Sequence, residues 1–199
     1  MTERVYWKLM SGEGDTRIEL SRPWAELNAQ APGFDQVPSC ANLLEGETTL
    51  VLNEQTPYCE FSTKTAVRLN ASAPLSILGI MSGQDSVPFV PQAGDPSAFV
   101  LAPVRQYRSS YFFMTPDTYA NNWISIISPP NQTILLDGET IDLSNAQAIG
   151  GDEYVIKHVS ISTSGPHFIE GQASFGLLVY AYDDYVSYAY TGGLDLIKR

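Results

Sequence analysis

The chain has 199 residues, 44% of them hydrophobic, and a formal net charge of −11 from 22 acidic and 11 basic side chains. A domain of this size buries roughly 70% of the surface its unfolded chain exposes, so it needs no metal or disulfide to fold. This hydrophobic content excludes a disordered or collagen-like chain, no apolar run approaches the about 20 residues of a membrane span, and the acidic surplus with scattered basic residues argues against nucleic acid or an anionic membrane as partner.

Thirteen prolines and fifteen glycines leave few stretches in which helical periodicity can run for three turns. Strands and turns are expected instead. Val5-Tyr6-Trp7-Lys8-Leu9-Met10 reads as a strand, Ser11-Gly12-Glu13-Gly14-Asp15 as a turn, and the alternating Thr16 to Leu20 as a second strand, together predicting a hairpin. Ser21 to Asn28 predicts a short helix with Ser21 as N-cap and Pro23 in its first turn. Ala29 to Ala41, with Pro32, Gly33 and Pro38, reads as a loop, and Thr48 to Asn53 and Thr65 to Asn70 as strands.

Cys40 and Cys59 lie in a segment rich in Pro, Asn, Thr and Glu, which suits a surface disulfide closing a loop. Such a bridge contributes about 3 kcal/mol in the chain-entropy picture. Zinc would want further Cys or His ligands nearby and a redox pair would want CxxC, which leaves two free buried thiols as the alternative. The opening Met1-Thr2-Glu3-Arg4 lacks the basic and apolar regions of a signal peptide, so an exported protein would be read here as a segment of a longer precursor.

Beyond Leu75 the strand signal strengthens through Leu75–Met81, Phe99–Ala102, Tyr111–Met114, Trp123–Ile127 and Thr133–Leu136. Asp137-Gly138, between Ile134-Leu135-Leu136 and Ile141-Asp142-Leu143, is the strongest hairpin signal, because Gly reaches the positive φ of a tight primed turn. Tyr154 to Ile161 reads as a half-buried strand, after which Gly165-Pro166 turns the chain into His167-Phe168-Ile169-Glu170. Strands at this spacing without long helices predict an all-β fold, an antiparallel β-sandwich with Greek-key or jelly-roll-like connections. Residues 1–199 are expected to form one domain, with 1–60 as a small N-terminal appendage or extra strands.

Phe175 to Leu194 is the most distinctive stretch, holding Tyr180, Tyr182, Tyr185, Tyr188 and Tyr190. With Asp183-Asp184 at the tip, Leu177 faces Tyr190, Val179 faces Tyr188 and Ala181 faces Val186. Both faces are apolar, which predicts a hairpin inside a sheet rather than on its rim.

Several segments carry a resemblance in order: Leu101-Ala102-Pro103-Val104-Arg105-Gln106-Tyr107-Arg108, Phe113-Met114-Thr115-Pro116-Asp117-Thr118-Tyr119-Ala120, Ile134-Leu135-Leu136-Asp137-Gly138, Gly165-Pro166-His167, and Phe175-Gly176-Leu177-Leu178-Val179-Tyr180 through Ser187-Tyr188-Ala189-Tyr190-Thr191-Gly192-Gly193-Leu194. Over roughly Ala66 to Leu196 the chain resembles the IgGFc-binding protein N-terminal domain family, found in a vertebrate mucus protein and in large exported proteins of bacteria. The resemblance implies an exported, non-catalytic β-rich module of surface or adhesion proteins. It carries over no binding residues.

Catalytic motifs are missing: there is no GxSxG and no P-loop, and Gly12-Glu13-Gly14 runs to Arg17 where a dinucleotide fingerprint needs Gly. His158 and His167 fall on separate predicted strands, and His167 is expected to be hydrogen-bonded beside the Gly165-Pro166 turn. No cofactor is expected, with calcium as the alternative through loop carboxylates such as Asp95, Asp117, Asp152, Asp183 and Asp184. A ligand or calcium loop would draw on Asp117, Asp183, Asp184, Tyr182 and Tyr185. The tyrosines otherwise pack in the core. The expected function is a non-catalytic extracellular or cell-surface module that binds a protein or a glycan. The rival classes are a lectin-like, calcium-dependent sandwich and an enzyme with an unrecognised carboxylate pair.

Overall fold

The computed structural model describes residues 3–32, 36–87, 93–151 and 153–196. Fifteen strands, every named pair of them antiparallel, build an all-β molecule. In the N-terminal part, β1 (Val5–Ser11) lies between β4 (Tyr58–Thr63) and β6 (Leu75–Ile80), with β7 (Ala98–Val100) beyond β6. β2 (Thr16–Leu20) lies between β3 (Thr49–Leu52) and β5 (Leu69–Ala71) in a separate three-stranded sheet.

β1 and β2 therefore do not form the expected hairpin. Their turn carries the chain from one sheet to the other, so Leu9 meets Ile18 and Leu20 in one buried cluster with Leu50, Leu52 and Phe61. Side-by-side pairing would leave one face of each strand to find cover elsewhere, whereas facing sheets bury the apolar side of both. The expected helix is also shorter than read. Only Trp24–Leu27 forms a 3₁₀ turn, and Ser21 does not cap it, because its hydroxyl accepts the Arg68 N–H at 3.0 Å. Residues 58–63, to which the sequence assigns no element, form β4. Cys40 and Cys59 are bonded and fully buried among Leu9, Leu27 and Phe61, so the bridge is a core element rather than a surface clasp.

The C-terminal part comprises β8 (Arg108–Thr115), β9 (Asn121–Ser128), β10 (Ile134–Leu136), β11 (Glu139–Thr140), β12 (Gln147–Ile149), β13 (Tyr154–Ile161), β14 (Gly165–Asp183) and β15 (Val186–Thr191). The 19-residue β14 organises it. Its first half pairs with β8 and β10, its second with β9 and β15, and the register breaks between Glu170 and Phe175. One strand thus serves two layers, as at the corners of sandwiches where a bulge lets a strand switch sheets. Tyr111, Phe113, Ile134 and Ile169 of one layer pack on Ile124, Ile126, Leu177 and Val179 of the other, with Phe175 at the break.

Alternation along β14 sends Leu178, Tyr180 and Tyr182 to its opposite side, where they meet Val5, Met81 and Phe99. This contact joins the two parts. The Asp137-Gly138 turn forms as read: Leu136 pairs with Glu139, and φ is +51° and +87° at the two turn residues. The second hairpin differs in detail. Val179 pairs with Tyr190 and Ala181 with Tyr188, and the tip is Asp184-Tyr185, with Tyr185 at φ +54°. The two-residue shift leaves every side chain on its expected face. β15, however, lies on the rim, pairing among the described residues with β14 alone, and Val186 and Tyr190 are 43% and 36% exposed.

Candidate binding surface

β8 reads Arg-Ser-Ser-Tyr-Phe-Phe-Met-Thr, and in its second half it lacks the polar outer positions of a solvated strand. Tyr111, Phe113 and Thr115 point into the sandwich, as a core strand requires, but the outward Phe112 and Met114 are apolar too. Phe112 is 80% exposed and Met114 60%. On β14 the opposing outward residue is Phe168, whose ring lies 4.6 Å from that of Phe112. Single exposed apolar residues are ordinary, whereas neighbouring ones on one face mark contact surfaces.

Behind this face, a polar group fixes three segments. His167, 4% exposed, shares a hydrogen bond of 2.7 Å between Nδ1 and Asp137 Oδ2, and its Nε2 lies 3.0 Å from Thr115 Oγ1. Asp137 Oδ1 accepts the Phe168 N–H at 2.8 Å, so the carboxylate of the primed turn also holds the backbone of the half-buried Phe168. The hydrogen bond from His167 holds the Asp137 carboxyl below the usual carboxylate range, reinforced by the Phe168 N–H. The order hydroxyl, imidazole, carboxylate is that of a nucleophilic triad. Here the Thr115 hydroxyl is buried and donates to the Thr163 carbonyl at 3.0 Å, which leaves no space for a substrate at its oxygen. His167 is thus the hydrogen-bonded strand residue expected beside its turn.

The other histidine lines an open groove with Glu139, Asp142, Lys157 and Ser160. His158 Nδ1 lies 2.8 Å from Ser125 Oγ, and burial lowers its pKa to about 4. Asp142 is fully exposed and accepts the Ser144 N–H at 2.8 Å.

The residues expected to form a ligand or calcium loop do not converge. Tyr182 is buried against Tyr180 and Gly94, and Tyr185 and Asp184 occupy the exposed hairpin tip. Asp183 Oδ1 accepts the Asp184 N–H at 2.7 Å and Oδ2 the Ala120 N–H at 2.6 Å, which lowers its pKa and engages both oxygens. Asp117 is exposed in the loop that carries Ala120, Asp95 offers its N–H to Ser187 Oγ, and Asp152 lies outside the described residues. No group of three or more His, Cys, Asp or Glu side chains suited to a metal occurs among the described residues.

The sequence reading placed β8 but not its exposed face. Phe112-Phe113-Met114 is a continuous apolar run, which reads as a strand buried on both sides. The available signal was the pair of neighbouring serines, Ser109 and Ser110, preceding that run on one strand.

Fold and surface together define a disulfide-bonded, all-β antiparallel module that presents a partly apolar strand face. Residues 37–181 match the family model described as IgGFc binding protein, and the chain belongs to that family. The match begins well before residue 66, taking in both cysteines, and stops short of β15. No curated protein and no solved structure matches the chain. No helix among the described residues is long and apolar enough to cross a membrane.

Proposed function

We propose that the chain is a non-catalytic, exported surface or adhesion module that binds a protein partner through the outer face of β8 and β14. The observation that carries this reading is the exposed pair Phe112 and Met114, with the half-buried Phe168 ring against Phe112, on a paired strand face. Aromatic anchors on a fixed scaffold lose little conformational entropy on binding and dominate protein interfaces. The buried disulfide suits an oxidising, extracellular setting. The family description supports a protein ligand and makes the Fc part of immunoglobulin G one candidate.

The test sets an array of extracellular proteins that includes immunoglobulin G Fc beside a glycan array, probing both with the wild type and with a Phe112→Ser/Met114→Ser double variant. Protein binding that the double variant loses is expected. Binding confined to glycans, or protein binding untouched by the two substitutions, would overturn the reading.

A further inference from the structure

We infer that the partner is held as an added β-strand along the free edge of β8, and that the segment taken up is short, apolar at alternate positions and acidic at one end. The inference rests on the protein-binding reading above and deepens it.

β8 pairs with β14 along one side, and no strand among the described residues covers the other. Met114, opposite Pro166, turns its N–H and C=O away from β14: the N–H donates to Tyr190 Oη at 3.1 Å, and that hydroxyl donates back to the carbonyl at 2.7 Å. In an antiparallel strand alternate residues present their backbone groups to the same side, so those of Phe112 and Ser110 also point to the open edge. Such a row is a template for an incoming strand, and Phe112 and Met114 beside it offer apolar ground for alternate side chains.

The chain limits the template at both ends. Tyr190 occupies Met114, and the Asp195 N–H donates to the Gln106 carbonyl at 2.9 Å. The Arg108 N–H is taken by Tyr111 Oη at 2.9 Å, so the open edge runs from Ser110 to Phe112. Its charge sets the partner's chemistry. Arg105, in the 3₁₀ turn that precedes β8, and Arg108, its first residue, are exposed, and neither belongs to an ion pair among the described residues. In a chain of net charge −11, two unpaired guanidiniums at one end of an open strand favour an acidic partner segment. The same net charge opposes a second copy of this chain as occupant.

Random peptides displayed on phage, selected against the whole chain, supply the probe. The expected peptides alternate apolar residues and end in Asp or Glu. Their affinity should fall about tenfold in Ser110→Pro, which removes an outward N–H, and similarly when the peptide is N-methylated at alternate residues, a change that leaves the protein untouched. Arg105→Ala/Arg108→Ala should weaken the acidic peptides in a salt-dependent way, and Tyr190→Phe, which frees Met114, should strengthen binding severalfold. Peptides lost in Phe112→Ser yet indifferent to Ser110→Pro and to N-methylation would overturn strand addition while leaving the exposed face as the binding surface. No enrichment, or enrichment indifferent to every substitution, would overturn the inference, and the protein array would separately decide the broader reading. A dimer in sedimentation that Ser110→Pro dissociates would overturn it in favour of self-pairing.

Discussion

The Tyr190 hydroxyl on β15 fastens both backbone groups of Met114 on β8, across the open side between the two layers of the C-terminal sandwich. Tyr190 stacks on Tyr188 at 5.9 Å, and Tyr188 donates to Asn122 Oδ1 at 2.8 Å, so the rim strand is anchored by phenols rather than by a further strand. This distinguishes the five tyrosines of the hairpin by role.

Tyr182→Ala should cost about 3 to 5 kcal/mol, because its ring is fully buried between the two parts of the molecule. Tyr188→Ala should cost less, about 2 to 3 kcal/mol, since its ring, though it meets Tyr119 and Tyr190, is only half-buried. Tyr185→Ala, at the exposed tip, should stay within about 0.5 kcal/mol. Urea denaturation of the three variants checks the order, and equal losses would contradict the packing.

Gly138→Val should destabilise by about 1 to 3 kcal/mol, because φ is +87° there and a β-branched residue resists that region. No atom lies within 4 Å of the position a Cβ would take, so the cost is conformational rather than steric. Gly138→Asn, which tolerates positive φ, should recover most of the urea midpoint.

Two groups should make stability fall with acid in separate windows. Burial lowers the His158 pKa from 6.5 to about 4, so the unfolded chain takes up a proton in that interval that the folded one refuses, and stability declines as pH falls from about 6.5 toward about 4. Asp137, held below its usual 3.8 by His167, contributes stability that is present above that value and lost as pH drops through its folded pKa. His158→Gln should flatten the upper window and Asp137→Asn the lower, read from denaturant midpoints across the pH range. A single slope common to both variants would refute the assignment.

Reduction of the Cys40–Cys59 bridge should cost about 3 kcal/mol and require prior unfolding, because both sulfurs are buried. A thiol count on denatured, unreduced protein should find none free, and rapid reduction of the native protein by mild thiol would contradict the burial.

Legibility in the sequence varied with how local the determinant was. Asp137-Gly138 announces itself because one residue type answers one backbone requirement, and the strands around Ile124, Val159 and Leu177 because apolar runs between turns have few other uses. The destination of a strand is not local. Val5 to Leu20 gave correct strands and a wrong pairing, since a polar turn can join neighbours in one sheet or partners in facing sheets. Tyr58 to Thr63 went unread because Glu60, Ser62 and Thr63 disguise a strand whose apolar face is only Cys59 and Phe61. The exposed face of β8 was hidden by the same logic: Phe112 and Phe113 look alike until a partner strand decides which one enters the core.

β14 also governs the order of assembly. Its neighbours span residues 108–115, 121–128, 134–136 and 186–191, so much of the C-terminal sandwich waits for a strand that is made after β8, β9 and β10. Until then β10 has only β11 beside it and β8 has no strand partner among the described residues, so the apolar side of β8 stays exposed. Pairings of such long sequence separation place folding toward the milliseconds-to-seconds end of the range. The earlier strands must therefore be kept from wrong partners until β14 arrives to claim them.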